Sequence, residues 1–257
     1  MRAWIKSFAA AMAMYTRLPV LPVKWDQSSL KYALCCFPAA GLIIGALFLL
    51  WTLAAQKLLI GRLFFAAVSA AIPLLISGGI HLDGFCDTTD AVFSYKSRAE
   101  RLDIMRDPHV GAFGSMFTAL YLLLWTGAMS ELAGGYIAVG FLFALERSLS
   151  GLMAAATPGA RREGTVRTFA DGASEKTPLV LAAEAVILAG IMIYKEPLAG
   201  AAGVAGVVGA FILCRRYALK TFGGVTGDIC GWFLQIAELA AIILMVMVQK
   251  GAVIYQL

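Results

Sequence analysis

The chain has 257 residues, 60% of them hydrophobic and 14% charged, with a formal net charge of +5. Its mean hydropathy of +0.81 sits in long unbroken apolar blocks, not in period-2 or period-3.6 stripes. That excludes an ordinary soluble domain and implies an all-α polytopic membrane bundle, one integral domain over residues 1–257. No basic patch interleaved with aromatics is present, which argues against a nucleic-acid partner. The five cysteines are odd in number and form no CxxC pair, which argues against a disulfide framework.

In chain order, residues 3–15 are too short to cross a bilayer and read as an interfacial or half-inserted helix. Seven spans of about 20 residues follow, at roughly 33–55, 63–82, 111–130, 135–156, 178–194, 197–214 and 231–249. Breakers mark their borders: Pro19, Pro22, Gly61, Gly134, Gly135, Pro158, Pro178, Pro197, Gly223 and Gly224. With seven spans, the N-terminal segment and the loops 83–110, 157–177 and 215–230 share one side. That side holds 16 of the 21 Lys and Arg. The other side holds Lys57, Arg62, Lys195 and Lys250, and Arg147 falls inside a span. The asymmetry predicts that the loop-rich side is cytoplasmic, in a cytoplasmic (inner) membrane.

The polar residues gather in a few stretches. In GGIHLDGFCDTTDA (78–91), Asp83, Asp87 and Asp90 recur at i, i+4 and i+7, which places three carboxylates on one helix face. Such a set repels itself unless a cation sits within it. Oxygen ligands favour a hard ion, Mg²⁺ or Mn²⁺. The plainer alternative is a solvated acidic loop, or a cap by Asp83. In RLDIMRDPHVGAFG (101–114), arginines beside glycines at a helix entry suit phosphate, with Arg98 and Arg101 equally explained as membrane anchors. His81 and His109, the two histidines, border this loop as candidate bases or as polar helix-end residues.

Glu146 and Arg147 lie within the fourth span, where ionisable groups are either functional or structural pairs. Glu184 and Glu238 are also in spans and read as packing or snorkelling residues. ARREGTVRTF (160–169) is a basic loop suited to an anionic substrate or to stopping transfer. In GGVTGD (223–228), Gly223 and Gly224 permit close backbone approach, while Thr226 and Asp228 offer oxygens at a helix start. A cap alone explains Asp228 but not the whole cluster, so a metal or phosphate role is favoured.

Seven stretches in order, TRLPV (16–20), FPAAGLIIG (37–45), GGIHLDGFCDTTDA, IMRDPHVGAFG (104–114), ALER (144–147), ARREG (160–164) and GGVTGD, resemble the cobalamin synthase family, the adenosylcobinamide-GDP ribazoletransferases. The likeness spans nearly the whole chain. Cys86, Ala91, Pro108 and Val166 depart from the family pattern without removing a carboxylate. The resemblance implies that a ribose hydroxyl of α-ribazole, or of its 5′-phosphate, attacks the cobinamide-side phosphorus of adenosylcobinamide-GDP. GMP is released, with Mg²⁺ required. On that reading Asp83, Asp87 and Asp90 hold the metal, and Arg17, Arg106 and Arg161, with Gly223, Gly224 and Thr226, bind phosphate. Asp228, Glu146 and His81 are the catalytic candidates. Expected partners are the two substrates and the lipid bilayer, with a homo-oligomer or association with other corrinoid-assembly enzymes left open. A CDP-alcohol phosphotransferase is the rival enzyme, but its DGxxAR signature is not met after Asp83–Gly84. A small transporter is the non-enzyme rival, and no internal repeat supports it.

Overall fold

The computed structural model describes residues 2–20 and 22–254, and among them there are helices and no strands. The helices are α1 (Arg2–Tyr15), α2 (Gln27–Leu30), α3 (Ala33–Lys57), α4 (Arg62–Ser77), α5 (Ile80–Phe93), α6 (Arg98–Ile104), α7 (Ala112–Glu131), α8 (Tyr136–Ala156), α9 (Thr165–Gly172), α10 (Thr177–Lys195), α11 (Pro197–Thr221) and α12 (Gly227–Ile254). Six of them, α3, α7, α8, α10, α11 and α12, are long and apolar enough to cross a membrane, and a bent pair, α4 with α5, raises the count to seven.

The short α4 is the first half of that bent pair. It runs back along α3, where Trp51 Nε1 donates to the Phe65 carbonyl at 3.1 Å. Its far end returns to the N-terminal segment, where the Arg17 N–H donates to the Ile76 carbonyl at 2.8 Å. The predicted span 63–82 is therefore too long. The helix stops at Ser77, and α5 leaves at 95°. Gly78 and Gly79 make that corner with φ of 67° and 81°, a left-handed backbone that glycine adopts without a Cβ penalty.

Two further borders move. α11 continues to Thr221, so Arg215 and Arg216 are helical; Arg215 Nε donates to Thr157 Oγ1 at 3.0 Å beside the end of α8. α12 begins at Gly227, so Asp228 stands in its first turn. The three loops predicted on one side are thus largely helical, containing α5 and α6, α9, and the end of α11.

α8 is the most deeply buried helix and forms the axis of the bundle. Small residues bring its neighbours close. A Cβ on Gly41 or Gly45 of α3 would strike the carbonyls of Phe143 and Gly140 on α8. One on Gly206 of α11 would strike Ala241 of α12. In lipid, helix association relies on such packing, since tails compete equally for apolar surface. α1 buries Ser7, Ala10, Ala11, Met12 and Tyr15, while Trp4, Ile5 and Phe8 stay exposed. This short amphipathic helix packs beside α3, in keeping with an interfacial position.

The two ends of the bundle are distinct. At one, Lys250 pairs with Glu131 at 2.7 Å, and Glu196 accepts the Ala138 N–H at 2.6 Å. At the other, the loop before α9, the α5–α7 segment and the start of α12 meet.

Candidate active site

The meeting of α5 and α12 is made possible by two glycines. A Cβ on Gly84 would lie 2.8 Å from the Asp228 Cα, and one on Gly231 would lie 2.9 Å from the His81 carbonyl. Backbone-to-backbone approach therefore brings Asp83 and Asp87 beside Asp228. Asp83 and Asp228 line the same cavity, of about 130 Å³. Asp228 also faces a polar cavity of about 200 Å³, shared with Arg161, Glu163, Arg167 and Thr226. Asp83 also faces a wide, open cavity of about 680 Å³, bordered by Arg17, Cys86 and Ser115. Three cavities thus converge on two carboxylates from helices 145 positions apart in sequence.

The electrostatics match that crowding. Burial, followed by the charges of Asp83, Asp228 and Asp90, pushes Asp87 up to about 7. Acids held this close are short of a cation. Arg161 supplies part of the balance, with its Nη1 at 3.9 Å from Asp228 Oδ2. Its other terminal nitrogen donates to the Leu102 carbonyl, which holds the guanidinium between α6 and the start of α12. Burial pulls Arg161 below its usual value, Asp228 opposes this, and nearby Arg106 adds to the lowering. Arg17 lies over Gly78, where a Cβ would strike its side chain. The structure therefore brings Arg17, Arg106 and Arg161 to the same end of the bundle as Asp83, Asp87 and Asp228.

Asp90 does something else. Its two oxygens accept the N–H groups of Gly111 and Gly114 at 2.8 and 2.9 Å. Each carboxylate oxygen accepts one of the otherwise unpaired donors that open α7. Spacing along α5 alone groups it with the other two acids, but here it holds a helix N-terminus. Among the described residues, no group of three or more His, Cys, Asp or Glu forms a ready-made metal cage. A donor set of Asp83, Asp87 and Asp228 nevertheless suits Mg²⁺, which commonly takes one or two carboxylates and completes its shell with waters and substrate phosphates.

Gly223 and Gly224 also have a different task. They wall none of the three cavities. A Cβ on Gly224 would strike the Pro158 carbonyl, and one on Gly223, whose φ is 71°, would strike the Arg98 guanidinium. Their absent side chains let Val225 pair with Gly159 as an isolated parallel bridge, with N–H···O distances of 2.9 Å each way. This bridge ties the Arg161 loop to the start of α12. Thr226, not Asp228, caps α12: its Oγ1 accepts the Ile229 N–H at 3.2 Å and donates to Asp228 Oδ2 at 3.3 Å. Asp228 is thereby left facing the cavities.

Glu146 is removed from the site. It is fully buried in α8, and its Oε1 accepts from Arg147 Nη1 at 2.6 Å; the same nitrogen donates to the Phe143 carbonyl at 2.8 Å. It lines none of the three site cavities. Glu238, expected to pack or snorkel, is just as buried and accepts from Tyr121 Oη at 2.9 Å. Arg147, Glu238, Tyr121 and Gln235 surround a small void of about 20 Å³ inside the bundle. No sequence signal joins residues so far apart. His81 is buried against Tyr15 and Phe37, and its Nε2 has no partner. It lines the void and the 130 Å³ cavity, so it borders the site.

Fold and site define an integral membrane protein with acids and arginines converging at one end of a helical bundle, the donor chemistry of an enzyme that transfers a phosphorus-containing group. Residues 7–246 match the family described as cobalamin-5-phosphate synthase. Relatives named adenosylcobinamide-GDP ribazoletransferase include one from Lachnoclostridium phytofermentans, 38% identical over 254 residues, 98% of this chain and 97% of the relative. Another, from Escherichia coli (strain K12 / DH10B), is 32% identical over 245 residues, 91% of this chain and 96% of the relative. A third, from Clostridium botulinum (strain Alaska E43 / Type E3), is 28% identical over 249 residues, 94% and 97% respectively. No solved structure matches. The chain belongs to the cobalamin-5-phosphate synthase family. It is an enzyme, a transferase of cobalamin synthesis.

Proposed function

We propose that the enzyme joins adenosylcobinamide-GDP to α-ribazole, or to its 5′-phosphate, and releases GMP. The observation that carries this reading is the convergence of Asp83 and Asp228 on one cavity, with Arg161 3.9 Å from Asp228. In the reaction a ribose hydroxyl oxygen bonds to the cobinamide-side phosphorus. The bond from that phosphorus to the bridging oxygen breaks, and GMP departs with its electron pair. The hydroxyl proton passes to a carboxylate of this acid cluster, in which Asp83 and Asp228 each border two of the cavities.

Phosphoryl chemistry of this kind depends on positioning and on neutralising charge. Arg161, Arg106 and Arg17 are the groups suited to hold the diphosphate oxygens, because a guanidinium donates in a planar fork. Asp83, Asp87 and Asp228 would hold Mg²⁺, which when bound neutralises charge on the transferred and leaving phosphates. Asp90 is left out of this set because its carboxylate already holds the start of α7 through Gly111 and Gly114. The 16 Lys and Arg on the site side favour a cytoplasmic site in the cytoplasmic membrane.

The test uses purified protein in detergent with adenosylcobinamide-GDP, α-ribazole and Mg²⁺, following GMP and the joined corrinoid against a chelator control. Metal-dependent, stoichiometric release of both products is expected. GMP released without α-ribazole, or equal rates in chelator, would overturn the reading.

A further inference from the structure

The three cavities that meet at Asp83 and Asp228 differ in character, and one of them is a narrow aromatic slot. Tyr15 and Phe37 form its side, with ring centroids 3.9 Å apart. Met14, Leu34 and Ser150 continue the wall, and His81 closes it beside Phe37 at 5.6 Å between rings. Most of these side chains are buried and face no other cavity of the site. We infer that this slot is the specificity pocket for the flat aromatic base of the acceptor nucleoside. The inference rests on the proposed transfer to a riboside acceptor and deepens it by assigning residues to one half of the substrate.

Size and chemistry select the occupant. A dry apolar cavity of about 150 Å³ takes one benzene-sized ring. The slot, of about 130 Å³, is on that one-ring scale and meets the polar cavity of about 200 Å³ at Asp228, so a small bicyclic aromatic fits with its outer ring in the slot and its sugar at the acid end. A corrin is far too large for it. Guanine carries several donors and acceptors, and away from the acids the wall offers only Tyr15, His81, Ser150 and Thr165 as polar side chains to meet them; burying such groups without partners is costly. The neighbouring polar cavity, with Arg161, Glu163, Arg167 and Thr226, is the better host for a nucleotide and its phosphates. A benzimidazole base is mostly apolar, stacks on aromatic rings, and has one free ring nitrogen. His81, whose Nε2 lacks a partner, is the polar residue that stands next to the rings. The same arrangement puts the ribose hydroxyls at Asp228 and Asp83, where the reacting phosphorus must lie.

The test is equilibrium binding, read by the fluorescence of the base, of two α-ribosides to purified protein without donor or metal. One carries 5,6-dimethylbenzimidazole and the other unsubstituted benzimidazole. Wild-type protein should prefer the dimethylated base. Ser150→Val narrows the slot and should cut that preference by about tenfold, the scale of a misplaced methyl in an apolar pocket. Tyr15→Leu widens it and should weaken both ligands while admitting a tricyclic naphthimidazole riboside that the wild type excludes. A general folding defect would lower both affinities together and leave the ratio unmoved. An unchanged ratio in Ser150→Val, together with exclusion of the tricyclic base by Tyr15→Leu, would overturn the slot assignment. Because binding is read without turnover, failure of the transfer reaction in wild-type protein would separately count against the proposed function.

Discussion

Substituting Gly84 by alanine tests the closeness on which the site depends. The added methyl would stand 2.8 Å from both the Cα and the carbonyl oxygen of Asp228. Carbon atoms rest at roughly 3.5 Å or more, so α5 and α12 must separate by about 0.7 Å. Both obstructing atoms are backbone at the start of α12, next to the Thr226 cap, and no side chain can rotate away. Overpacking of this kind costs about 1–3 kcal/mol. The same displacement moves Asp83 and Asp87 away from Asp228, and misplacement on the ångström scale costs turnover about 100-fold. GMP release by purified Gly84→Ala, with thermal unfolding in the same detergent, reads both effects. The account predicts a loss of turnover far larger than the loss of folded protein. Wild-type turnover in Gly84→Ala, or a loss matched by the unfolded fraction, would refute the idea that helix proximity sets the site.

Other outcomes follow from the same geometry. Asp83→Asn and Asp228→Asn should each lower turnover by at least about 1000-fold, about 4 kcal/mol of barrier, while leaving thermal unfolding within a few degrees of wild type. Asp90→Ala should behave in the opposite way, losing about 1–2 kcal/mol of stability through the uncapped α7 and keeping turnover at permissive temperature. Arg161→Ala should raise the KM for the GDP-bearing substrate at least tenfold, with Arg161→Lys recovering only part of it because the forked contact is lost. Glu146→Ala should destabilise the fold by about 3–5 kcal/mol by stranding Arg147 in the bundle, measured as loss of monodisperse protein after extraction.

Much of the fold is written in hydropathy. Long apolar runs such as 33–57 and 227–254 announce their helices, and prolines at 178 and 197 mark the starts of α10 and α11 within a residue or two. The corner at Gly78–Gly79 is not written there. Hydropathy stays high across residues 63–82, and only backbone dihedrals show that the helix ends. In the site, the period of α5 correctly places Asp83 and Asp87 near one another, but it cannot show that Asp90 is claimed by N–H groups more than 20 residues onward. The glycines of GGVTGD read as room for phosphate because their true neighbour, the segment 158–160, lies some 65 residues earlier. Glu238 looks isolated because Tyr121 is 117 residues away. Local pattern carries helix faces and borders, whereas the partner of a buried polar atom is set by tertiary packing.

The most direct test of the shared acid site is Mn²⁺ binding, followed by electron paramagnetic resonance on purified protein with a diphosphate-bearing substrate present. Weakening by at least tenfold in both Asp83→Asn and Asp228→Asn, with Asp90→Asn close to wild type, is the predicted result. Undiminished binding in Asp228→Asn, or loss confined to Asp90→Asn, would contradict a site built by α5 and α12 together.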